Sequence, residues 1–393
     1  VTKAAYAAFY FMGELYFDYA STTKVKKEVL DEMIPYFMEY YGNPSSIYSL
    51  SRKVKSGIDK SKNNISKLIN CKRSEVYFTS GGTEADNWAI KGIAFANKDK
   101  GNHIITTEIE HAAVLNSCKY LESLGFKVTY LPVDHKGFVN LETLTKAIDN
   151  KTILVSIMFG NNEIGTMQNI KAIGEICREK NVYFHTDAVQ ALGQVPINVE
   201  EMNIDVLSMS AHKIYGPKGV GALYIKKGVK IHNLIHGGEQ ERGRRSGTEN
   251  VPGIVGFGKA AELAFENFEE ETDKVINYRN KIIDLLLKIE GTQINGALGK
   301  DRLPNNINVS FKGVNSEGLL IVLDNMGVFA SAGSACSAGA IEESHVLKAI
   351  GLSLEETKNS IRFTFGYDIS DDIIEVFVDK IRIAVNNIRS MDC

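Results

Sequence analysis

The fold class predicted for this chain is α/β, a large, mainly parallel seven-stranded sheet covered on both faces and followed by a smaller α+β unit. Three observations predict it. From about residue 60 to 225 short β-rich runs alternate with helical periods, the pattern of βαβ crossovers. Past residue 258 that alternation gives way to strands and helices in mixed order. The length, 393 residues, suggests two or three domains at roughly 150 residues each.

Residues 1–11 lack the basic flank, apolar core and cleavage site of a signal peptide, and Met12-Gly13-Glu14 looks like a start, so they are expected to be a non-native or irregular segment. The large sheet takes strands at 76–79, 103–106, 127–131, 153–159, 182–185, 206–210 and 220–225. Between the second and third, Val114, Cys118 and Leu121 fall at i, i+4 and i+7, and Gly125 supplies the stop of a helix at 112–124. The seventh strand follows a Gly216-Pro217 turn too short for a crossover helix, so it is expected to be antiparallel. A loop rich in glycine and arginine, 236–258, leads to a long helix at 255–288. Then come strand 307–311, helix 316–325, strands 328–330 and 361–365, and a last helix, 371–389. Ser370 or Asp371 can cap that helix, and Ile374, Phe377, Ile381, Val385 and Ile388 mark its buried stripe. The expected division is a large domain at 25–260 and a small one made of 12–24 plus 261–393.

Composition excludes several function classes. The 45 basic and 48 acidic side chains leave a net charge of −3, which gives no chain-wide reason to bind nucleic acid or anionic lipid. No apolar run approaches the roughly 20 residues that span a bilayer. Five scattered cysteines without a CxxC pair point to free thiols, a cytoplasmic location and no cysteine-based metal site.

Ligands gather beyond the carboxyl ends of parallel strands, and the residues there are polar. Ser80-Gly81-Gly82-Thr83 opens a helix after the first strand, a place suited to phosphate, although a plain N-cap reads the same way. Neither GxxxxGK[ST] nor GxGxxG occurs. Glu110-His111 follows the second strand, Asn161-Asn162-Glu163 the fourth and Asp187-Ala188-Val189-Gln190 the fifth. An acid at the inner end of a buried strand costs several kcal/mol unless it is paired. After the sixth strand comes Ser210-Ala211-His212-Lys213, whose lysine can become a Schiff-base nucleophile when partly buried. A lysine, an acid for a pyridinium nitrogen and donors for a phosphate are what a pyridoxal cofactor needs.

Those motifs, together with Arg245-Ser-Gly-Thr248 and Ser334-Ala335-Cys336, resemble the cysteine desulfurases of the NifS/IscS family. These are class V aminotransferase-family enzymes of pyridoxal-phosphate fold type I. The match runs in order from about Tyr16 to Arg389. The resemblance implies that Lys213 holds pyridoxal 5'-phosphate through its aldehyde, that Asp187 pairs with the ring nitrogen, and that Gln190 and Asn162 contact the ring oxygen. It implies that His111 stacks on the ring and takes part in catalysis, and that Gly82, Thr83, Ser210 and His212 bind the phosphate. Thr248 would join them from the second subunit of a homodimer. Arg362 and Asn162 would hold the substrate carboxylate. Cys336 would take the sulfur of L-cysteine as a persulfide, leaving alanine and supplying an acceptor such as an iron-sulfur scaffold protein.

The residues around Cys336 are small and follow neither helical nor strand periodicity, which favours a reactive thiol over a buried one. Cys118 and Cys177 fall on apolar helix stripes, and Arg242, Arg244 and Arg245 read as an interface loop rather than an RNA patch. Gly82 and Ser337 stand where the family more often has Ala and Thr, and the chain ends without the longer tail of the housekeeping branch, which leans towards a NifS-like member. A selenocysteine lyase, an aminotransferase of the same class and a non-catalytic sulfur-carrier or scaffold protein are the alternatives.

Overall fold

The structure, a computed structural model, describes residues 13–332 and 343–391. The chain enters through strand β1 (Leu15–Tyr16). The large sheet follows: β2 (Val76–Thr79), β3 (His103–Thr107), β4 (Lys127–Leu131), β5 (Thr152–Ser156), β6 (Tyr183–Asp187), β7 (Val206–Ser210) and β8 (Gly221–Ile225), in the spatial order 2-8-7-6-5-3-4. As expected from the short turn, β8 is antiparallel to β7, and also to β2. The other neighbours are parallel. Six strands therefore deliver their carboxyl ends to one edge.

Period-two alternation explains the two covered faces. Phe78, Ile105, Val155 and Leu207 point into one core, where the helices Ser49–Leu68 and Val251–Glu266 pack. Their sequence neighbours Tyr77, Ile104, Leu154 and Val206 point into the other, under the helices Gly82–Ala96 and Ala112–Ser123. Cys118 and Cys177 are buried in these cores, in line with their helix stripes.

The second unit is built on β9 (Thr292–Ile294), β10 (Asn306–Phe311) and, after β11 (Val328–Phe329), β12 (Ser360–Thr364). β10 lies between β9 and β12, antiparallel to both, while β11 pairs in parallel with β1. The last helix, Asp371–Met391, buries Ile374, Phe377, Ile381 and Val385 on this sheet. Phe17, just after β1, stacks on Phe377 at 3.7 Å between ring centroids, so the chain's entry is stitched into its final unit.

Three differences from the sequence reading bear on the architecture or the site. The single helix expected at 255–288 is two helices, Val251–Glu266 and Phe268–Leu286. Asn267, at φ −102° and ψ 10°, breaks them, and the Asn250 side chain caps the first by accepting the Gly253 N–H at 3.2 Å. The strand expected at 153–159 leaves regular pairing at Ser156, although Ile157 and Phe159 still donate to the carbonyls of His185 and Asp187. β6 runs on to Asp187, two residues beyond the expected end, which makes that acid part of the sheet. No described helix is long and apolar enough to cross a membrane.

Candidate active site

The polar turns after β2, β3, β5, β6 and β7 meet over a cavity of about 640 Å³, within the usual range of about 300–1,000 Å³ for ligand pockets. Gly82, Thr83, His111, Asn162, Asp187, Gln190, Ser210, His212 and Lys213 all line it, and Arg362 reaches it from β12.

At one end the helix Gly82–Ala96 starts directly on the glycines, and no side chain caps its N-terminus. Its exposed N–H groups and dipole favour an anion there. A Cβ on Gly82 would come within 2.8 Å of Val189 Cγ2, so glycine lets this turn sit close to the end of β6 without moving that side chain. The adjoining pocket of about 380 Å³ is lined by Ser80, Gly82, Thr83, Ser210, His212 and Lys218. Burial, then Lys213 and Lys218, push His212 down to about 4. Its imidazole is neutral at pH 7, and Nδ1 lies 3.2 Å from Thr22 Oγ1. Behind the turn Glu84 accepts the Ser80 N–H at 2.8 Å and the Arg245 fork at 2.9 and 3.1 Å. Burial opposes ionisation there, yet Arg245 and Ser80 hold Glu84 below its ordinary value.

At the centre Asp187 closes β6 and accepts the Val189 N–H at 2.9 Å. Burial raises its carboxyl, while His111 and Lys213 pull it back. Lys213 follows β7 on the single turn Ala211–Lys213. Its Nζ donates to the carbonyl of Ser21 at 2.8 Å and to that of Ala20. Gln190 Nε2 donates to the same Ala20 carbonyl at 3.0 Å. His111 caps the next helix, its Nδ1 accepting the Ala113 N–H at 3.2 Å. In the neutral ring that leaves the proton on Nε2.

At the other end Arg362 is only 3% exposed. Nη2 donates to Asp18 Oδ1 at 2.8 Å and to Ser21 Oγ at 3.0 Å, and Nη1 to the Asn162 carbonyl at 3.0 Å. Nε has no partner. Asn162 thus meets this arginine through its backbone, while Asn161 holds the turn by accepting the N–H groups of Glu163 and Ile164.

Two expected residues stand apart. Thr248 lines a separate cavity of about 170 Å³ with Arg245 and Gly247, and Cys336 lies outside the described residues. The sequence reading missed Asp18, Ser21 and Asp86, all of which touch the cavity or its arginine. The run Asp18-Tyr-Ala-Ser-Thr-Thr23, polar and close to the chain's start, was the available signal.

The residues present fit a pyridoxal phosphate. A lysine and an uncapped helix N-terminus face one cavity, and the carboxylates of Asp86 and Asp187 approach within 4.8 Å of each other. A buried acid pair of that kind favours a cationic ring.

A sheet of this topology with a lysine, a buried acid and an anion site at its carboxyl edge defines an enzyme of the aminotransferase type. The family model "Aminotransferase class-V" matches residues 15–377, and the chain belongs to that family. Its relatives place it among the family's cysteine desulfurases. It is 55% identical over 380 residues to the cysteine desulfurase IscS of Clostridium botulinum, covering 96% of each chain. With the IscS of Methanosarcina thermophila it shares 52% over 377 residues, covering 96% of this chain and 93% of that one. Among solved structures, a NifS-like protein superposes with TM-score 0.90 at 40% identity, over 95% of this chain and all (100%) of the other. SspA in complex with cysteine gives 0.80 at 38% identity, over 89% and 98%.

Proposed function

We propose that this enzyme is a pyridoxal-phosphate-dependent cysteine desulfurase that converts L-cysteine to L-alanine and passes the sulfur to Cys336. One observation carries the reading: Lys213 from the turn after β7, Asp187 from β6 and Arg362 from β12 share a single cavity. The bound cofactor supplies the electron sink for loss of the substrate's Cα proton.

The chain's own residues do the rest. Arg362 binds the substrate carboxylate through charge-assisted hydrogen bonds. Asp187 would be the buried carboxylate for the ring nitrogen, and Gln190 and Asn162 would contact the ring oxygen. The uncapped turn with Gly82, Thr83, Ser210 and His212 receives the phosphate. Lys213 anchors the cofactor and, once displaced as a neutral amine, moves the Cα proton. His111 would cover the ring. The Cys336 thiolate attacks the substrate sulfur, forming an S–S bond as the C–S bond breaks, and the three-carbon remainder takes up protons to become alanine.

The arrangement also supports a homodimer. Thr248 does not reach the main cavity of its own chain, so we assign it to the partner's phosphate site. An apolar run suits the interface: Phe37, Met38, Tyr41, Ile47 and Tyr48 are all more than half exposed, Ile47 at 93%. Separate cores on the large and the three-stranded sheets support a large domain at 25–260 and a small one made of 12–24 plus 261–393. Cys71, Cys118 and Cys177 are free thiols, consistent with a reducing cytoplasm. The sulfur acceptor is proposed to be an iron-sulfur scaffold protein, as the resemblance to the NifS/IscS family implies.

The test is turnover of L-cysteine without a keto acid. Equal yields of alanine and reductant-released sulfide support the assignment, whereas a requirement for a keto-acid acceptor makes it an aminotransferase.

A further inference from the structure

Asp86 lies in the first turns of the helix Gly82–Ala96, where an acid is normally solvated and favoured by the dipole. Here it is 1% exposed, it lines the cavity, and its Oδ1 has no hydrogen-bond partner. Its carboxylate, that of Asp187 and a ring nitrogen of His111 all lie within 4.8 Å of one another. Two buried carboxylates this close do not both ionise.

The surroundings decide which acid keeps the proton. Asp187 accepts the Val189 N–H at 2.9 Å, and the nearby Lys213 ammonium favours its ionised form. His185 also faces Asp86, its Nε2 3.7 Å from Oδ1. That imidazole is neutral: it is fully buried, its nitrogens meet Ser156 Oγ at 2.8 Å and Ser208 Oγ at 3.0 Å, and burial pushes it down to about 3. Glu110, ahead of the Ala112–Ser123 helix, adds a further acid rather than a cation. Tyr77 from β2 and Cys118 from that helix, with Tyr130 and Tyr183 at its edge, are the other titratable groups of the adjoining core. Burial, then Asp187, raise Asp86 well above its ordinary value, against a hydrogen bond from Ser208 that favours its ionised form.

We propose that Asp86 is a positioning residue that holds the single proton of a carboxylate pair with Asp187, so that Asp187 alone presents negative charge to the cofactor ring. The inference rests on the reading of Asp187 given above. It explains why a buried acid stands beside a second carboxylate with its Oδ1 unpartnered. A protonated Asp86 is a neutral donor that packs behind Asp187 without competing for the cation in front.

The holoenzyme tests this without turnover. In D86N the visible band of the lysine-bound cofactor should titrate with a midpoint within about 0.3 pH unit of wild type, because Asn mimics the neutral acid. A midpoint lower by about one unit or more shows that Asp86 was charged and overturns the proposal. Infrared spectra at pH 7 should contain a protonated-carboxyl C=O band that survives in E110Q and disappears in D86N. A wild-type spectrum with no such band beyond the one E110Q removes also overturns it. D187N separates the two claims: an unchanged titration and cofactor content in that variant refutes the role of Asp187 itself.

Discussion

Replacing Arg362 by lysine keeps the charge and removes the planar fork. In the structure the guanidinium makes three hydrogen bonds, to Asp18 at 2.8 Å and to Ser21 and the Asn162 carbonyl at 3.0 Å. These fix its plane at the cavity wall. An ammonium on a flexible stem keeps one strong contact to a substrate carboxylate instead of two. Each charge-assisted hydrogen bond contributes about 1.5–3 kcal/mol, so losing one should raise KM for L-cysteine roughly 10- to 150-fold. The effect on kcat should be much smaller, since the lost contact is made equally in the ground and transition states. Initial rates of alanine formation over a range of L-cysteine concentrations measure both constants. Arg362→Ala should lose about 3–6 kcal/mol of kcat/KM, the sum of both bonds. It should also lower Tm, because Asp18 is left unpaired beside the cavity. An unchanged KM in R362K would refute the assignment of this arginine to the substrate carboxylate.

Three further outcomes are expected. Lys213→Ala should abolish the visible band of the lysine-bound cofactor in the purified protein, and an unchanged spectrum would mean that another lysine holds it. Glu110 is fully buried and pushed up to about 8, although it accepts the Met158 N–H at 3.0 Å and the Thr107 hydroxyl at 2.7 Å. Its folded value lies above its ordinary 4.5, so its contribution is fully present below pH 4.5 and is lost as pH rises through 8. Glu110→Gln should therefore leave Tm unchanged at pH 4 and raise it at pH 8, and a fall at pH 8 would contradict this. Met38→Asp combined with Ile47→Asp should convert the dimer to monomer in sedimentation analysis; a dimer that persists would place the interface elsewhere.

Much of the site was legible because each residue follows a strand of a parallel sheet, and sheet topology carries strand ends to a common edge. Lys213, Asp187 and Gly82 could be found that way. The contribution of the chain's entry could not, because Lys213 and Arg362 use carbonyls and an acid that lie 192 and 344 positions away in sequence. Such a pairing leaves no periodicity to read. Asp86 and Glu110 escaped for another reason: an acid near the start of a helix matches the dipole rule, so only burial reveals it as unusual. In the fold, strand positions and the antiparallel β8 followed from hydrophobic runs and turn length. The break at Asn267 did not, because the helical pattern runs on past a single asparagine.

The most direct measurement is to expose the enzyme to L-cysteine labelled in its sulfur and to map every cysteine by mass spectrometry while counting alanine. One labelled sulfur on Cys336 for each alanine formed is the predicted result, with Cys336→Ala keeping the cofactor's colour and releasing no sulfide. Label on Cys71, Cys118, Cys177 or Cys393 instead, or alanine formed with no protein-bound sulfur at all, would contradict the account.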